Sequence, residues 1–172
     1  MAGNTSVDEK RVADVVAQSL PFETGELDLI VSSSVLEHLQ DLEAFVRESA
    51  RVLRPGGGFI HVFPSRYALF AILNRLVPHR LKRGALHYAH PGTTDTQGFP
   101  AYYDRCYDSA ISELLRRNGF EIEAARASYY GSSPYFSIFV PAFALFLASE
   151  MLAKATGRLD LCTTLLVVAR RV

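Results

Sequence analysis

The stretch that decides the fold is residues 50–58, which read Ala-Arg-Val-Leu-Arg-Pro-Gly-Gly-Gly. Proline cannot continue a helix and glycine readily takes the positive φ angles that close one, so a helix is predicted to end here. Residues 59–63 follow directly, are mostly apolar and predict a short strand. In a phosphate-binding loop the glycines follow a strand and open a helix, and here that order is reversed. We therefore interpret these glycines as a structural boundary.

The residues before this boundary complete a strand–helix–strand unit. Residues 27–33 have the pattern of a buried strand after a turn at Gly25, and residues 42–53 carry apolar side chains at helical spacing. The unit predicts two parallel strands joined by a right-handed crossover. Ligands of open α/β sheets bind beyond the carboxyl ends of the strands. The loops at residues 32–38 and 64–66 are therefore predicted to face the functional site together.

Four motifs of the chain resemble, in order and spacing, those of class I S-adenosylmethionine-dependent methyltransferases, and most closely the small-molecule group called type 11. The motifs are Leu20-Pro21-Phe22, Leu27-Asp28-Leu29-Ile30-Val31, Val35-Leu36-Glu37-His38 and Arg51-Val52-Leu53-Arg54-Pro55-Gly56-Gly57. Each motif is weak alone, but four in register are a strong signal. The resemblance implies S-adenosylmethionine as the cofactor and methyl transfer to a small organic acceptor, with lipid-linked and saccharide-linked acceptors both open.

The resemblance also implies the fold, a three-layer Rossmann-like α/β methyltransferase domain over residues 1–172. Its sheet would be mixed, because the last strand of the family is antiparallel. Residues 109–118 fit the next helix, and residues 120–127 and 161–170 fit the last two strands. A variable helical and loop insertion is expected at about residues 66–107.

The amino-terminal part of the fold is expected to be missing. The family opens with a strand that ends in a glycine-rich cofactor loop, followed by a second strand that ends in an acidic residue, and residues 1–11 supply neither. A truncated chain, a non-catalytic interaction module that keeps the shape, and one piece of a split enzyme stay open as explanations. In each case the strand at 27–33 would have an open apolar edge. We expect oligomerisation, a rearranged sheet or marginal stability.

The resemblance assigns the cofactor-binding residues by position. Asp14 would contact the adenine amino group, and Ser32 and Ser33 would approach the cofactor at the end of a strand. Leu36 would lie under the adenine. The alternative role of the two serines is helix capping, which their side chains commonly provide. The alternative for Leu36 is a place in the core.

His38 is the candidate catalytic residue. An imidazole titrates near neutral pH, so a histidine beside the transferred methyl group can take a proton from an oxygen or nitrogen nucleophile. The alternative is that Glu37 and His38 form a structural pair at the entry to the helix. Asp41 is predicted to cap the helix that begins at Leu42, because its carboxylate can accept an N–H of the first turn.

Two segments outside the motifs bear on the acceptor and on partners. Residues 68–77 predict an amphipathic helix, and the basic residues at 75–83 suit either a solvated face or an anionic ligand or membrane. The aromatic and basic residues at 102–107 suit either a pocket mouth or a lid. An apolar helical insertion is expected at about 134–156, with Pro141 in its first turn. Its segment 135–152 fits a buried helix, a peripheral membrane contact or a homo-oligomer surface.

Composition excludes several other classes of function. The formal net charge is +0, which gives no electrostatic case for a nucleic-acid partner. Cys106 and Cys162 are far apart and fit free thiols in a reducing cytoplasm. His87 and His90 lack further ligands nearby, so no metal is expected. The sequence therefore predicts a small-molecule enzyme that is cytoplasmic, either soluble or membrane-associated.

Overall fold

The computed structural model describes residues 19–76, 100–131 and 140–172, and its centre is a four-stranded mixed sheet. The strands are β1 (Leu27–Ser33), β2 (Leu53–Pro64), β3 (Phe120–Ser128) and β4 (Thr164–Arg171), in the spatial order β1-β2-β4-β3. Strand β1 runs parallel to β2, and β4 runs antiparallel to both β2 and β3. The predicted mixed sheet with an antiparallel last strand is confirmed.

In the described residues, four helices and two short 3₁₀ turns lie between the strands. The helices are α1 (Leu42–Val52), α2 (Leu69–Leu76), α3 (Asp108–Arg117) and α4 (Val140–Thr156), and the 3₁₀ turns are Leu36–His38 and Leu159–Leu161. Asp41 caps α1, since its Oδ1 accepts the backbone N–H of Ala44 at 3.0 Å, as predicted. The last strand, expected to begin at Leu161, begins at Thr164, because Leu161 belongs to the 3₁₀ turn Leu159–Leu161.

Arg51 fastens the amino-terminal end of the described chain to α1. Its guanidinium group donates to the Glu48 carboxylate and to the backbone carbonyls of Phe22 and Leu20, at 3.0 and 3.1 Å. The Glu48 carboxylate in turn accepts the backbone N–H of Leu20 at 3.1 Å. A bidentate guanidinium is well suited to such a bridge, because its donors are fixed in one plane. This contact joins the first and last of the four sequence motifs.

The glycine run lies inside β2, and this corrects the expected strand start at residue 59. The pairing of Leu27 with Leu53 is followed by that of Leu29 with Gly58, so one residue of β1 faces four of β2. The run therefore forms a wide bulge, and Gly56 takes a φ of +80° within it. The glycines lie between helix α1 and the regularly paired part of β2, as a boundary would. They belong to the irregular first part of the strand itself.

The core lies on one face of the sheet. Alternate residues of β2 point into it, namely Phe59, His61 and Phe63, and all three are fully buried. Helices α1 and α3 cover this face with the buried side chains Leu42, Phe45, Val46, Ile111 and Leu115. On the opposite face, Leu29 and Val31 of β1 are 50% and 61% exposed. Within the described residues β1 pairs with β2 alone.

Helix α4 corrects the interpretation of residues 135–152 as a buried helix. Only Phe146 among its described side chains is buried, whereas Leu145, Met151 and Leu152 are more than half exposed. Pro141 is the second residue of the helix, a place where its missing N–H costs nothing. No helix in the described part of the chain combines the length and the apolar composition needed to cross a bilayer.

The tight packing of the bulge gives a stability prediction. A Cβ atom added to Gly57 would lie 2.8 Å from the backbone oxygen of Arg54, which cannot move away without distorting the bulge. We expect Gly57→Ala to lower the free energy of unfolding by about 1–3 kcal/mol, as overpacking does elsewhere. The measurement is urea unfolding followed by circular dichroism.

The matched control is Gly58→Ala. Its added Cβ would meet only Cδ1 of Leu29, also at 2.8 Å, and that half-exposed side chain can turn aside. Gly58→Ala should therefore cost clearly less than Gly57→Ala. Equal losses in the free energy of unfolding of the two variants would show that the close packing of the bulge backbone is not the cause of the effect.

Candidate functional site

Two bends meet at the carboxyl ends of β1 and β2, an edge that we call the rim. The backbone N–H of Ser34 donates to the carbonyl of Val62 at 2.8 Å, which fixes the bend after β1 directly beside the end of β2 at Pro64. Ser34 has a φ of 55°, a left-handed conformation that is uncommon outside glycine. The predicted side-by-side placement of the two bends is confirmed.

The predicted cofactor-binding residues occupy three different settings. The Oγ of Ser32 lies 2.6 Å from Nδ1 of His61, so this hydroxyl group pairs with a core histidine and does not cap a helix. Ser33 is exposed at the rim, and Leu36 is fully buried in the core cluster. Asp14 lies outside the described residues. The roles of these four residues toward a cofactor stay predictions.

His61 is a site residue that the sequence reasoning missed. It is fully buried, its ring centroid lies 3.8 Å from that of Phe59, and Phe45 packs edge-on at 5.9 Å. Burial lowers its pKa to about 4, so the imidazole is neutral at physiological pH. The signal in the sequence is its alternation with Phe59 and Phe63, which places a polar side chain at an inward position of a strand.

Glu37 is a second buried polar residue beside the rim. Its side chain is almost fully covered, and burial raises the pKa of its carboxyl group, against the opposing effects of a backbone hydrogen bond and of His38. Oε2 of Glu37 and Nε2 of His61 are the two buried side-chain atoms in the described residues that have no hydrogen-bond partner. Such atoms are rare in folded proteins and are frequently found at functional sites.

His38, the predicted base, is held at the rim through one ring nitrogen. Its Nδ1 lies 3.0 Å from the carbonyl oxygen of Pro100, and because a carbonyl only accepts hydrogen bonds, Nδ1 carries the proton. The neutral ring therefore has its basic lone pair on Nε2, which lies 3.8 Å from Oε1 of Glu37. The side chain is 38% exposed, so this part of the rim is open to solvent.

The segment 100–107, which we call the rim segment, crosses the rim from one bend to the other. The backbone N–H groups of Tyr102 and Tyr103 both donate to the carbonyl of Glu37, at 2.8 and 3.1 Å. At the other bend, the N–H of Arg66 donates to the carbonyl of Cys106 at 2.7 Å. The segment thus packs across the sheet end as a lid does, and Tyr102 keeps a partly exposed ring there.

Further polar contacts fix the rim segment to α1. The carboxylate of Asp104 accepts the N–H of Leu42 at 3.2 Å, and Arg105 pairs with Glu43 at 2.6 Å. Tyr103 and Arg105 have φ angles of 53° and 50°. Non-glycine residues in this conformation are strained, and they persist where surrounding contacts hold them.

Metal chemistry has no visible ligand set in the described part of the chain. No group of three or more histidine, cysteine or carboxylate side chains lies close enough there to hold an ion. His87 and His90 lie outside the described residues. Cys106 and Cys162 are free, buried thiols whose pKa values are each raised to about 12, chiefly by burial.

Comparison with known proteins agrees with this architecture. Residues 2–61 match the family model described as a methyltransferase domain. A "probable S-adenosylmethionine-dependent methyltransferase" of Mycolicibacterium smegmatis is 31% identical over 113 residues, which cover 66% of this chain and 36% of the relative. A ubiquinone biosynthesis O-methyltransferase of Xanthomonas oryzae is 32% identical over 81 residues, which cover 45% of this chain and 32% of the relative.

A solved structure shows the same fold. The geranyl diphosphate C-methyltransferase of Streptomyces coelicolor superposes with a TM-score of 0.55 at 14% identity, covering 94% of this chain and 53% of that one. The chain thus spans about half of that protein and about a third of the curated relatives above.

A parallel strand pair with its loops at one rim, inside a mixed sheet, defines an α/β protein that binds its ligand at the sheet end. The family match over residues 2–61 and the sequence relatives support a class I S-adenosylmethionine-dependent methyltransferase, and the solved structure has the same fold. At the rim, the bend after β1 offers the hydroxyl groups of the exposed residues Ser33 and Ser34 and carries no charged side chain. Such groups can hold the polar edge of a nucleoside.

The buried imidazole gives a prediction about pH. The pKa of His61 is about 4 in the folded chain and about 6.5 when unfolded, so between these values the unfolded chain binds more protons. Its contribution to stability is complete above pH 6.5 and is lost as the pH falls to 4. The loss is about 3 kcal/mol, at 1.36 kcal/mol per pKa unit.

His61→Asn tests this contribution, because the asparagine amide can still donate near Ser32 but does not titrate in this range. We expect the variant to lack the part of the pH dependence between 6.5 and 4 that His61 supplies. The measurement is urea unfolding of the wild type and of the variant between pH 6.5 and 4. The titration of carboxyl groups affects both proteins alike, so it cancels when their free energies of unfolding are subtracted. Identical pH profiles would show that His61 is not held neutral by burial.

Proposed function

We propose that the protein transfers a methyl group from S-adenosylmethionine to an oxygen atom of a small organic acceptor, with His38 as the base. The observation that carries this proposal is the orientation of His38, whose Nδ1 is fixed by the Pro100 carbonyl so that Nε2 is the basic nitrogen. An O-methyltransferase among the relatives supports oxygen as the acceptor atom. Each relative matches over only part of its length, so the activity of the whole protein is part of the proposal.

Ser32, Ser33 and Asp14 would hold the cofactor, and Leu36 would support the adenine ring from within the core. When bound, S-adenosylmethionine supplies an electrophilic methyl group on a sulfonium centre. Nε2 of His38 would take the proton of the acceptor hydroxyl group while the methyl group passes from sulfur to oxygen, so that the sulfur–methyl bond breaks and the cofactor leaves as a neutral thioether. The rim segment contributes by holding the acceptor in line with the methyl group, since orientation accounts for much of the acceleration in such a displacement.

Glu37 has a supporting electrostatic role in this mechanism. Its Oε1 lies 3.8 Å from the nitrogen that becomes protonated, in a setting shielded from water. A negative charge on Glu37 stabilises the imidazolium ion of His38 more strongly there than it would in solvent.

We also infer a cytoplasmic location. The two cysteines in the chain are both buried and unpaired, and their raised pKa values keep them as unreactive thiols. Thiols of this kind are typical of proteins from reducing compartments. Fractionation of cells that express a tagged full-length protein tests this location.

The experiment for the activity begins with binding. Calorimetry of the chain with S-adenosylmethionine should give micromolar affinity, which a non-catalytic module that keeps only the shape would not show. Transfer of a labelled methyl group to a panel of phenols and catechols then reports the reaction. Absence of both binding and transfer in the chain and in any longer natural form of it would overturn the proposal.

Two substitutions distinguish the role of His38 as a base from its role in holding the rim segment through Pro100. His38→Gln removes both the base and the donor to Pro100, whereas His38→Asn can keep a donor near the position of Nδ1 but cannot take a proton. We expect kcat to fall by about 10²–10⁴-fold in both, with cofactor affinity unchanged. If His38→Asn retains wild-type kcat, His38 is a tether for the rim segment and not a base.

A further inference from the structure

Ser32 and His61 form a polar pair that joins the core to the rim. The two residues are register partners in the parallel strands β1 and β2, and Oγ of Ser32 lies 2.6 Å from Nδ1 of His61. His61 is fully buried, whereas Ser32, the next-to-last residue of β1, is half-buried. One partner is therefore enclosed in the core, and the other lies at the carboxyl end of a strand, where ligands of such sheets bind.

The imidazole ring of His61 is held in place by aromatic packing. Its centroid lies 3.8 Å from that of Phe59, and the ring of Phe45 stands nearly perpendicular to it at 5.9 Å. A ring in a close-packed core keeps one orientation, because turning would bring it into collision with its neighbours. Nδ1 therefore stays directed at Ser32, and the hydroxyl group, which can rotate, adjusts to the ring.

The unpartnered Nε2 atom decides between the two neutral forms of this ring. Burial lowers the pKa of His61 to about 4, so at neutral pH one ring nitrogen carries a proton and the other does not. Nε2 is buried and has no hydrogen-bond partner among the described residues. For buried backbone groups, an orphaned N–H is rarer than an underused acceptor, and the same preference applies to a ring nitrogen. It favours the form in which Nδ1 carries the proton and donates to Ser32.

A hydrogen bond in this direction fixes the hydroxyl proton of Ser32. A serine oxygen has one proton and two lone pairs, and His61 would occupy one of the lone pairs. The proton must then take another staggered position about the Cβ–Oγ bond, away from the ring. Oγ of Ser32 has no second hydrogen-bond partner in the part of the chain that the structure describes. Its O–H group is therefore available to a ligand.

We propose that His61 is a positioning residue, which donates from Nδ1 to Ser32 and keeps the hydroxyl proton of Ser32 turned toward a hydrogen-bond acceptor at the rim. The other tautomer would make Ser32 donate inward and offer a ligand only lone pairs. The ligand group beside Ser32 is therefore a carboxylate, a hydroxyl oxygen or an unprotonated ring nitrogen. That this ligand is S-adenosylmethionine rests on the proposed function, whereas the direction of the hydrogen bond does not.

The direction of the hydrogen bond can be measured by heteronuclear NMR of the chain with isotope-labelled histidine, at neutral pH and without a ligand. Couplings to the ring C–H groups tell the two nitrogens apart, and the signals of His61 are those lost in His61→Asn. We expect the proton on Nδ1, and in Ser32→Ala a change in the Nδ1 signal because its acceptor is gone. A proton on Nε2 would overturn the proposal.

Calorimetry with S-adenosylhomocysteine tests the effect on the ligand. Ser32→Ala should weaken binding about three- to tenfold, which corresponds to the loss of one hydrogen bond. His61→Phe keeps an aromatic ring in the core but frees the hydroxyl group to take any staggered position, so binding should weaken about threefold. The double variant should bind no more weakly than Ser32→Ala alone, because His61 acts only through Ser32.

His61→Asn distinguishes positioning from packing. Its amide can donate to Ser32 from near the place of Nδ1, whereas phenylalanine is the better replacement for packing between Phe45 and Phe59. We expect His61→Asn to bind S-adenosylhomocysteine nearly as the wild type does, in spite of a lower free energy of unfolding. If His61→Phe instead binds as the wild type and His61→Asn binds more weakly, His61 serves packing alone and the proposal is wrong.

Ser128→Ala is the matched control, because Ser128 also ends a strand, β3, but its hydroxyl group donates to the carbonyl of Tyr130 at 3.3 Å. Its affinity should equal that of the wild type, and circular dichroism checks the fold of every variant. Unchanged affinity in folded Ser32→Ala would overturn the proposal and leave the proposed function standing. Absence of binding by the wild type, in the longest natural form of the chain, would count against the proposed function, and the NMR measurement would then decide the orientation of Ser32 alone.

Discussion

Parallel pairing of β1 with β2 is the constraint on which the rest of the structure depends. It places the bend after Ser33 beside the bend after Pro64, and the hydrogen bond from Ser34 to Val62 locks this arrangement. Everything that could act on a ligand, including His38, then gathers at a single end of the sheet. The same pairing sets Ser32 opposite His61, so the register of two strands also decides which polar groups meet within the core.

Much of this arrangement could be predicted from the sequence, because the signals are local. Strand β1 has the predicted bounds, Leu27–Ser33, since an apolar run between a glycine turn and a serine cluster leaves little choice. The start of β2 was misplaced because a bulge depends on pairing with β1, which no local pattern reports. Burial and exposure of α4 were both left open for a similar reason: its apolar composition is the same whether protein or another medium covers it.

The candidate site was predictable in its place but not in its contacts. His38 and the two serines follow from motif position, whereas the pairing of Ser32 with His61 joins residues 29 apart in the sequence. The rim segment contacts Glu37 and His38 across 62 or more residues, and such long-range contacts leave no trace in spacing. The burial of Glu37 is likewise a result of tertiary packing, since its neighbour His38 on the same turn is exposed.

The hydrogen bond between His38 and Pro100 has a consequence for selectivity. Pro100 lies within the variable insertion at about residues 66–107, and its carbonyl oxygen decides which nitrogen of the His38 imidazole holds the proton. A movement of that peptide group by little more than an ångström would break the hydrogen bond. The proton of the neutral imidazole would then no longer be fixed on Nδ1. Under the proposed function, recognition and reactivity would therefore share one atom, because an acceptor that displaced Pro100 would also change which nitrogen of His38 is basic.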